Sequence, residues 1–191
     1  MTTVLIAPDS FKGSLTSVEV ARALADGWSR ARPDDEILLC PLADGGEGTL
    51  AAIEAAGGWE PQSASVTDPL ERSVTARWLR STDGSRAFVE MAEASGLSRV
   101  AAEDRDPIAA TSIGTGELLG AAIDAGVPHV TLGIGGSATT DGGFGLLHAL
   151  LANGRDLGRT DLDVACDVSN PLLGPTGAAA TYGPQKGASP D

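Results

Sequence analysis

Four short stretches concentrate residue types that bind and move charged groups. They are Asp9-Ser10-Phe11-Lys12-Gly13-Ser14, Asp44-Gly45-Gly46-Glu47-Gly48-Thr49, the glycine-rich run 135–143 containing Gly135, Gly136, Ser137, Thr139 and Asp141, and Asp167-Val168-Ser169-Asn170-Pro171. The mixture suits phosphoryl transfer, which asks a protein for positioning and charge stabilisation. Backbone N–H groups in glycine loops cradle phosphates, a lysine neutralises developing charge, carboxylates hold Mg²⁺, and a further carboxylate accepts a hydroxyl proton. Each stretch also has an ordinary reading: Asp9 and Ser10 as turn formers, Lys12 as a solvated lysine, Asp44 and Glu47 as acids at a helix start, Asp167 and Asn170 as an Asx turn. Their shared composition at the ends of successive strands favours chemistry over four unrelated turns.

The elements that carry these stretches follow from periodicity. The apolar run 4–7, a polar loop and helically spaced apolar residues over 17–25 read as strand, loop and helix, with Thr16 or Ser17 as cap and Glu19 completing a capping box. The unit recurs with a strand at 37–40, the Asp44 loop and a helix at 49–56. From about 59 to 91 three segments, 63–67, 74–80 and 86–91, alternate apolar and polar residues between Asp-Pro and Asp-Gly turns, as antiparallel strands do. Strand and helix then alternate again: helix 116–124, strand 129–134, the glycine loop, helix 144–152 and strand 162–166. The expected fold is α/β, with a parallel sheet, right-handed crossovers and a β-rich insert, and all four loops gathered at one sheet edge. The division expected is 1–58, an insert at 59–100, and a continuation at 101–191.

Composition narrows the partners. The 191 residues carry 26 acidic against 13 basic side chains, a net charge of −13, with 42% apolar residues and 25 glycines. That is enough apolar material for a core and argues against disorder. The negative charge repels nucleic acid and anionic lipid, and no run approaches the ~18 apolar residues of a membrane span. Cys40 and Cys166 sit in apolar runs without CxxC spacing, which suggests buried thiols in a reducing, cytoplasmic setting. GxxxxGK[ST], HRD and DFG signatures are absent. Residues 133–138 satisfy GxGxxG/A after a strand, offering a nicotinamide-dependent oxidoreductase as an alternative, but the acid expected about 20 residues on is not placed at a strand end, Asp156 falling in a polar loop.

Taken together, the strings Ala7-Pro8-Asp9-Ser10-Phe11-Lys12-Gly13-Ser14-Leu15, Pro41-Leu42-Ala43-Asp44-Gly45-Gly46-Glu47-Gly48-Thr49, the 135–143 loop, Ala165-Cys166-Asp167-Val168 with Asn170-Pro171-Leu172, and Gly183-Pro184-Gln185-Lys186-Gly187-Ala188 resemble the class I bacterial glycerate kinases over essentially the whole chain. The resemblance implies a Rossmann-like α/β domain and a second α/β domain to which the β-rich insert belongs, with the active site between them. It implies transfer of the γ-phosphoryl group of ATP to a hydroxyl of D-glycerate, the 2-position favoured, with Mg²⁺ required. Carried onto this sequence, Asp9, Lys12, Asp141 and Asp167 are the catalytic candidates and Asp44 and Glu47 the metal ligands. Ser10, Gly13, Ser14, Gly135, Gly136, Ser137, Thr139, Asn170, Gln185 and Lys186 are the candidates for substrate or phosphate binding.

Two departures from that family stand out. Only residues 151–161 separate the helix after the glycine loop from the next strand, where relatives carry a long stretch, and the chain stops at Asp191 where relatives continue. The expectation is a fold incomplete relative to the family, with exposed strand edges and apolar faces that favour association into a homo-oligomer. A fragment, one half of a split protein or an inactive binding remnant is the corresponding functional alternative.

Overall fold

A computed structural model of the chain describes residues 1–11, 13–155 and 157–189. The elements run β1 (Thr3–Ile6), α1 (Ser17–Ala31), β2 (Glu36–Leu39), α2 (Thr49–Ala56), β3 (Trp59–Thr67), β4 (Ser73–Ser81), β5 (Arg86–Glu90), α3 (Ala92–Ser95), α4 (Ile113–Asp124), β6 (His129–Gly133), α5 (Phe144–Ala152), β7 (Asp161–Ala165) and α6 (Ala178–Tyr182). Helix α1 starts as its sequence dictates: the Glu19 N–H donates to Thr16 Oγ1 at 3.2 Å and the Thr16 N–H to Glu19 Oε2 at 2.8 Å, a closed capping box.

The strands form two sheets. β1 and β2 pair in parallel by themselves, while the second sheet has the order β3-β4-β5-β6-β7, antiparallel from β3 to β5 and parallel from β5 to β7. The expectation of one sheet edge for all four loops is therefore corrected. The alternating segment does not stand apart; β5 pairs with β6, so β3 and β7 become the edges of the larger sheet and β1–β2 lies outside it. The loops still meet, as described below, but they arrive from two sheets.

Side-chain alternation along the central strands divides the core. Ala87 and Val89 of β5 face one way, into a cluster with Trp78, Val130, Leu132, the α4 residues Leu118, Leu119 and Ala122, and Leu150 of α5. Phe88 faces the other way and packs with Leu79 and with Leu50 of α2. Helices α4 and α2 thus cover opposite faces of β5. Burial of each such aliphatic side chain contributes about 1.5–3 kcal/mol.

The small sheet is covered differently. Val4 and Ile6 turn inward with α1 on their side, whereas Leu5 and its register partner Leu38 are 64% and 48% exposed. Both cysteines are free and exposed rather than buried. Cys40 follows this half-covered sheet, and Cys166 follows the edge strand β7, so an apolar run in sequence did not secure a second covering layer for either. No helix among the described residues is long and apolar enough to cross a membrane.

Candidate functional site

A cleft of about 1030 Å³ is lined by the loops after β1, β2, β6 and β7, the start of α1, and the 3₁₀ segment Pro184–Lys186. Its lining includes Asp9, Ser10, Gly13, Ser14, Asp44, Glu47, Gly135, Gly136, Ser137, Thr139, Asp141, Asp167, Gln185 and Lys186. Asn170 is not in the lining. Its amide donates to Thr176 O at 2.9 Å and its Oδ1 accepts from the Tyr182 hydroxyl at 2.7 Å, so it ties the loop after β7 to α6. Lys12 and Asp156 lie outside the described residues.

The acidic and glycine-rich loops touch directly. The Gly135 N–H donates to Gly45 O at 3.2 Å. A Cβ on Gly135 would stand 2.5 Å from Gly46 Cα, and one on Gly133 2.6 Å from Gly45 O, so this approach of one backbone to another requires glycine. The glycine-rich loop is held from three further sides. Leu97 N–H donates to Gly136 O at 2.8 Å, Ala138 N–H to Ser95 O at 2.9 Å, and the Lys186 ammonium to Ser137 Oγ at 2.7 Å and Thr139 O at 2.6 Å. Lys186 is only 7% exposed. Burial pushes its pKa down, opposed by the charge of Asp141.

Asp141 is occupied rather than idle. Its Oδ2 accepts from the Ser112 hydroxyl (2.7 Å), the Ser112 N–H (2.9 Å) and the Gly145 N–H (3.1 Å), and its Oδ1 from the Gly143 N–H (2.9 Å). Burial alone would raise its pKa. The Ser112 hydroxyl and the amides of Ser112, Gly143 and Gly145 outweigh that effect and hold the carboxyl below the usual range. One carboxylate thus serves the starts of both α4 and α5, whose cap positions, Ser112 and Gly143, make no side-chain cap of their own. In the same lining Asp9 and Ser10 are exposed, Asp9 Oδ1 accepts from the Ser10 N–H at 2.6 Å, and Ser14 Oγ donates to Phe11 O at 2.9 Å.

Two side chains that hold the surroundings of the cleft escaped sequence reasoning, Ser112 and Glu90. Glu90, 3% exposed at the end of β5, accepts from the Gly48 N–H (2.9 Å) and the Leu50 N–H (2.7 Å) at the start of α2. Desolvation, reinforced by Glu93 and Glu47, outweighs those two amides and pushes its pKa up to about 7. The signal available was an acid inside the apolar run 87–92.

The donor set also bears on metal and cofactor. Among the described residues no group of three His, Cys, Asp or Glu side chains converges to hold a metal by itself. Asp44, Glu47 and Asp167 nevertheless line one cleft, which fits an ion such as Mg²⁺ that keeps its waters and takes one or two carboxylates together with substrate phosphates. The nicotinamide alternative meets a geometric obstacle. The 133–138 pattern does follow β6, but α5 begins only at Phe144, so no helix start stands directly behind these glycines as dinucleotide binding requires.

Comparison with known proteins agrees with the loops. The sequence profile of the glycerate kinase family matches residues 4–157 and 153–191. The chain is 46% identical over 213 aligned positions to the glycerate 2-kinase of Escherichia coli K12, covering 97% of this chain and 56% of that protein. It is 43% identical to the glycerate kinase of Bacillus subtilis 168, covering 98% and 56% respectively. In three dimensions it superposes with a TM-score of 0.81 on a crystal structure of the Salmonella typhimurium LT2 protein described as glycerate kinase 2, at 45% identity, over 100% of this chain and 59% of that one. The chain thus spans a little over half the length of these relatives. The Escherichia coli alignment exceeds this chain's 191 residues by 22 positions, so that relative carries at least that many internal residues which this chain lacks. The break in the family match, at 153–157, falls in the short connection from α5 to β7.

Proposed function

The chain belongs to the glycerate kinase family, and on that premise we propose that it contributes the cleft in which the γ-phosphoryl group of ATP passes to the 2-hydroxyl of D-glycerate. The observation that carries the reading is the direct contact of the acidic loop with the glycine-rich loop, Gly135 N–H to Gly45 O. It puts carboxylates and phosphate-type amides on one wall of a single cleft. In this reading the amides and hydroxyls of Gly135, Gly136, Ser137 and Thr139 receive the phosphates. Asp44 and Glu47 hold Mg²⁺, which when bound neutralises phosphate charge. Asp9, Ser10 and Lys12, with Gly13 and Ser14, receive glycerate and the transferred group.

Exposed Asp167 takes the hydroxyl proton as the oxygen–phosphorus bond forms and the bond to ADP breaks. Asp141, its lone pairs committed to four donors, is assigned to positioning rather than to the proton. Lys186 likewise shapes the phosphate loop. The reaction is placed in the cytoplasm, where two unpaired thiols stay reduced, with no nucleic-acid or membrane partner.

An ADP-release assay tests the reading, with the product identified by phosphorus NMR. ADP formation that needs both Mg²⁺ and D-glycerate and yields 2-phosphoglycerate is the expected result; 3-phosphoglycerate would overturn the choice of hydroxyl. A second reading, a nucleotide-binding half that needs further polypeptide for turnover, is favoured by the apolar residues left exposed at the cleft wall, Leu172 and Leu173. ATP binding without turnover is its signature.

A further inference from the structure

Glu90 is a buried carboxylate that the proposed chemistry does not use. On β5 it lies on the same side as Phe88, two residues earlier, which packs against Leu50 of α2. A charge at such a place is costly unless it is matched, and an apolar side chain would fill it at lower cost. What matches it is the uncapped start of α2: the cap residue Gly48 has no side chain to offer, and both Glu90 oxygens accept amides there. The same residue is fixed to the stem of the other cleft loop. Glu90 is in parallel register with Gly133 of β6, and the next amide, Met91 N–H, donates to Gly133 O at 2.8 Å.

We propose that Glu90 is a positioning residue that sets the loop carrying Asp44 and Glu47 against the glycine-rich loop, and so sets where a cation bound to phosphate is received. The use made of the loop rests on the phosphoryl-transfer reading; the placement of the loop does not. The glycine-rich loop keeps its own ties to Leu97, Ser95 and Lys186, so loss of Glu90 acts on one loop and spares the other.

The test compares Glu90→Gln and Glu90→Asp with the parent chain by amide hydrogen exchange and by calorimetric titration with ATP, with and without Mg²⁺. In Glu90→Gln, which puts an NH₂ group against one of the two amides, exchange at residues 46–51 is expected to rise about tenfold or more while residues 135–139 stay within about threefold. Affinity for Mg²⁺·ATP falls about tenfold or more while that for metal-free ATP stays within about threefold. Glu90→Asp keeps the charge one methylene short and gives intermediate values; it decides by the same criteria if the glutamine variant does not fold. Unchanged exchange at 46–51, equal acceleration of both loops, or equal weakening of both nucleotide forms overturns the assignment. Should the parent chain bind neither form, the phosphoryl-transfer reading falls and the exchange pattern alone decides Glu90.

Discussion

At the scale of single residues, a half-buried carboxylate, Asp141, and a buried one, Glu90, meet the same problem with opposite outcomes. Asp141 has four donors and stays ionised, whereas Glu90 has two amides and two acidic neighbours, and its pKa rises to about 7. The signs of their pH effects differ accordingly. Asp141, with its folded pKa lowered, contributes stability that is present above the unfolded value near 4 and is lost as pH falls through the folded one. Glu90, with its folded pKa raised from 4.5 to about 7, contributes stability that is full below 4.5 and is lost as pH rises through 7. Urea midpoints should therefore show the parent chain losing stability between pH 5 and pH 8, by up to about 3 kcal/mol from this group. Glu90→Gln should flatten that slope; an unaltered slope would show that another group carries it. Asp141→Asn, which replaces an acceptor oxygen by a donor, should cost about 2–4 kcal/mol at neutral pH and remove the acid limb below pH 4. Lys12 tests the chemistry itself: Lys12→Ala should lower turnover about 100-fold or more with little change in melting temperature.

At the scale of elements, the glycines divide into those the backbone needs and those it does not. Gly135→Ala would drive a methyl group into Gly46; separating the two cleft loops should cost about 1–3 kcal/mol and weaken ATP binding. Gly27, in the middle of α1, is the control. A Cβ there meets nothing within 4 Å, so Gly27→Ala should stabilise by about 0.5–1 kcal/mol, and a fall in melting temperature would contradict the structure. Helix α2, helix α5 and the capping box at Thr16 were legible in the sequence because their signals are local. The alternation of 74–80 and 86–91 likewise predicted the strands. The partition into two sheets was not legible, since whether β5 takes β6 as its neighbour is a choice between segments some 40 residues apart in sequence. The same distance hid Glu90, whose amide partners precede it by 42 and 40 residues, and Ser112, 29 residues before Asp141. The cleft loops could be read from composition because their chemistry is carried by residue type; what holds them in place is carried by contact.

At the scale of the whole molecule, apolar exposure and net charge act against each other. One face of the β1–β2 sheet presents Leu5 and Leu38, and α5 presents Phe144, Leu147 and Leu151. These last three recur at i, i+3 and i+7, a stripe that an ordinary surface helix turns inward. A two-stranded parallel sheet is likewise rarely left open on one face. Such surfaces drive association through the apolar area they remove from water. A net charge of −13 opposes it, because every approaching copy carries the same sign. Salt screens the repulsion, shortening the Debye length from about 30 Å at 0.01 M to about 8 Å at 0.15 M, and leaves the hydrophobic term in place. The chain alone should therefore be most nearly monomeric at low ionic strength and gain mass as salt and protein concentration rise, as read by sedimentation equilibrium. Replacing Leu5 and Leu38 together by Ser removes apolar area from an already solvated face, so it should lower the association constant with little effect on the melting temperature. A constant monomer mass across salt and concentration would show that these faces are too small to drive association by themselves.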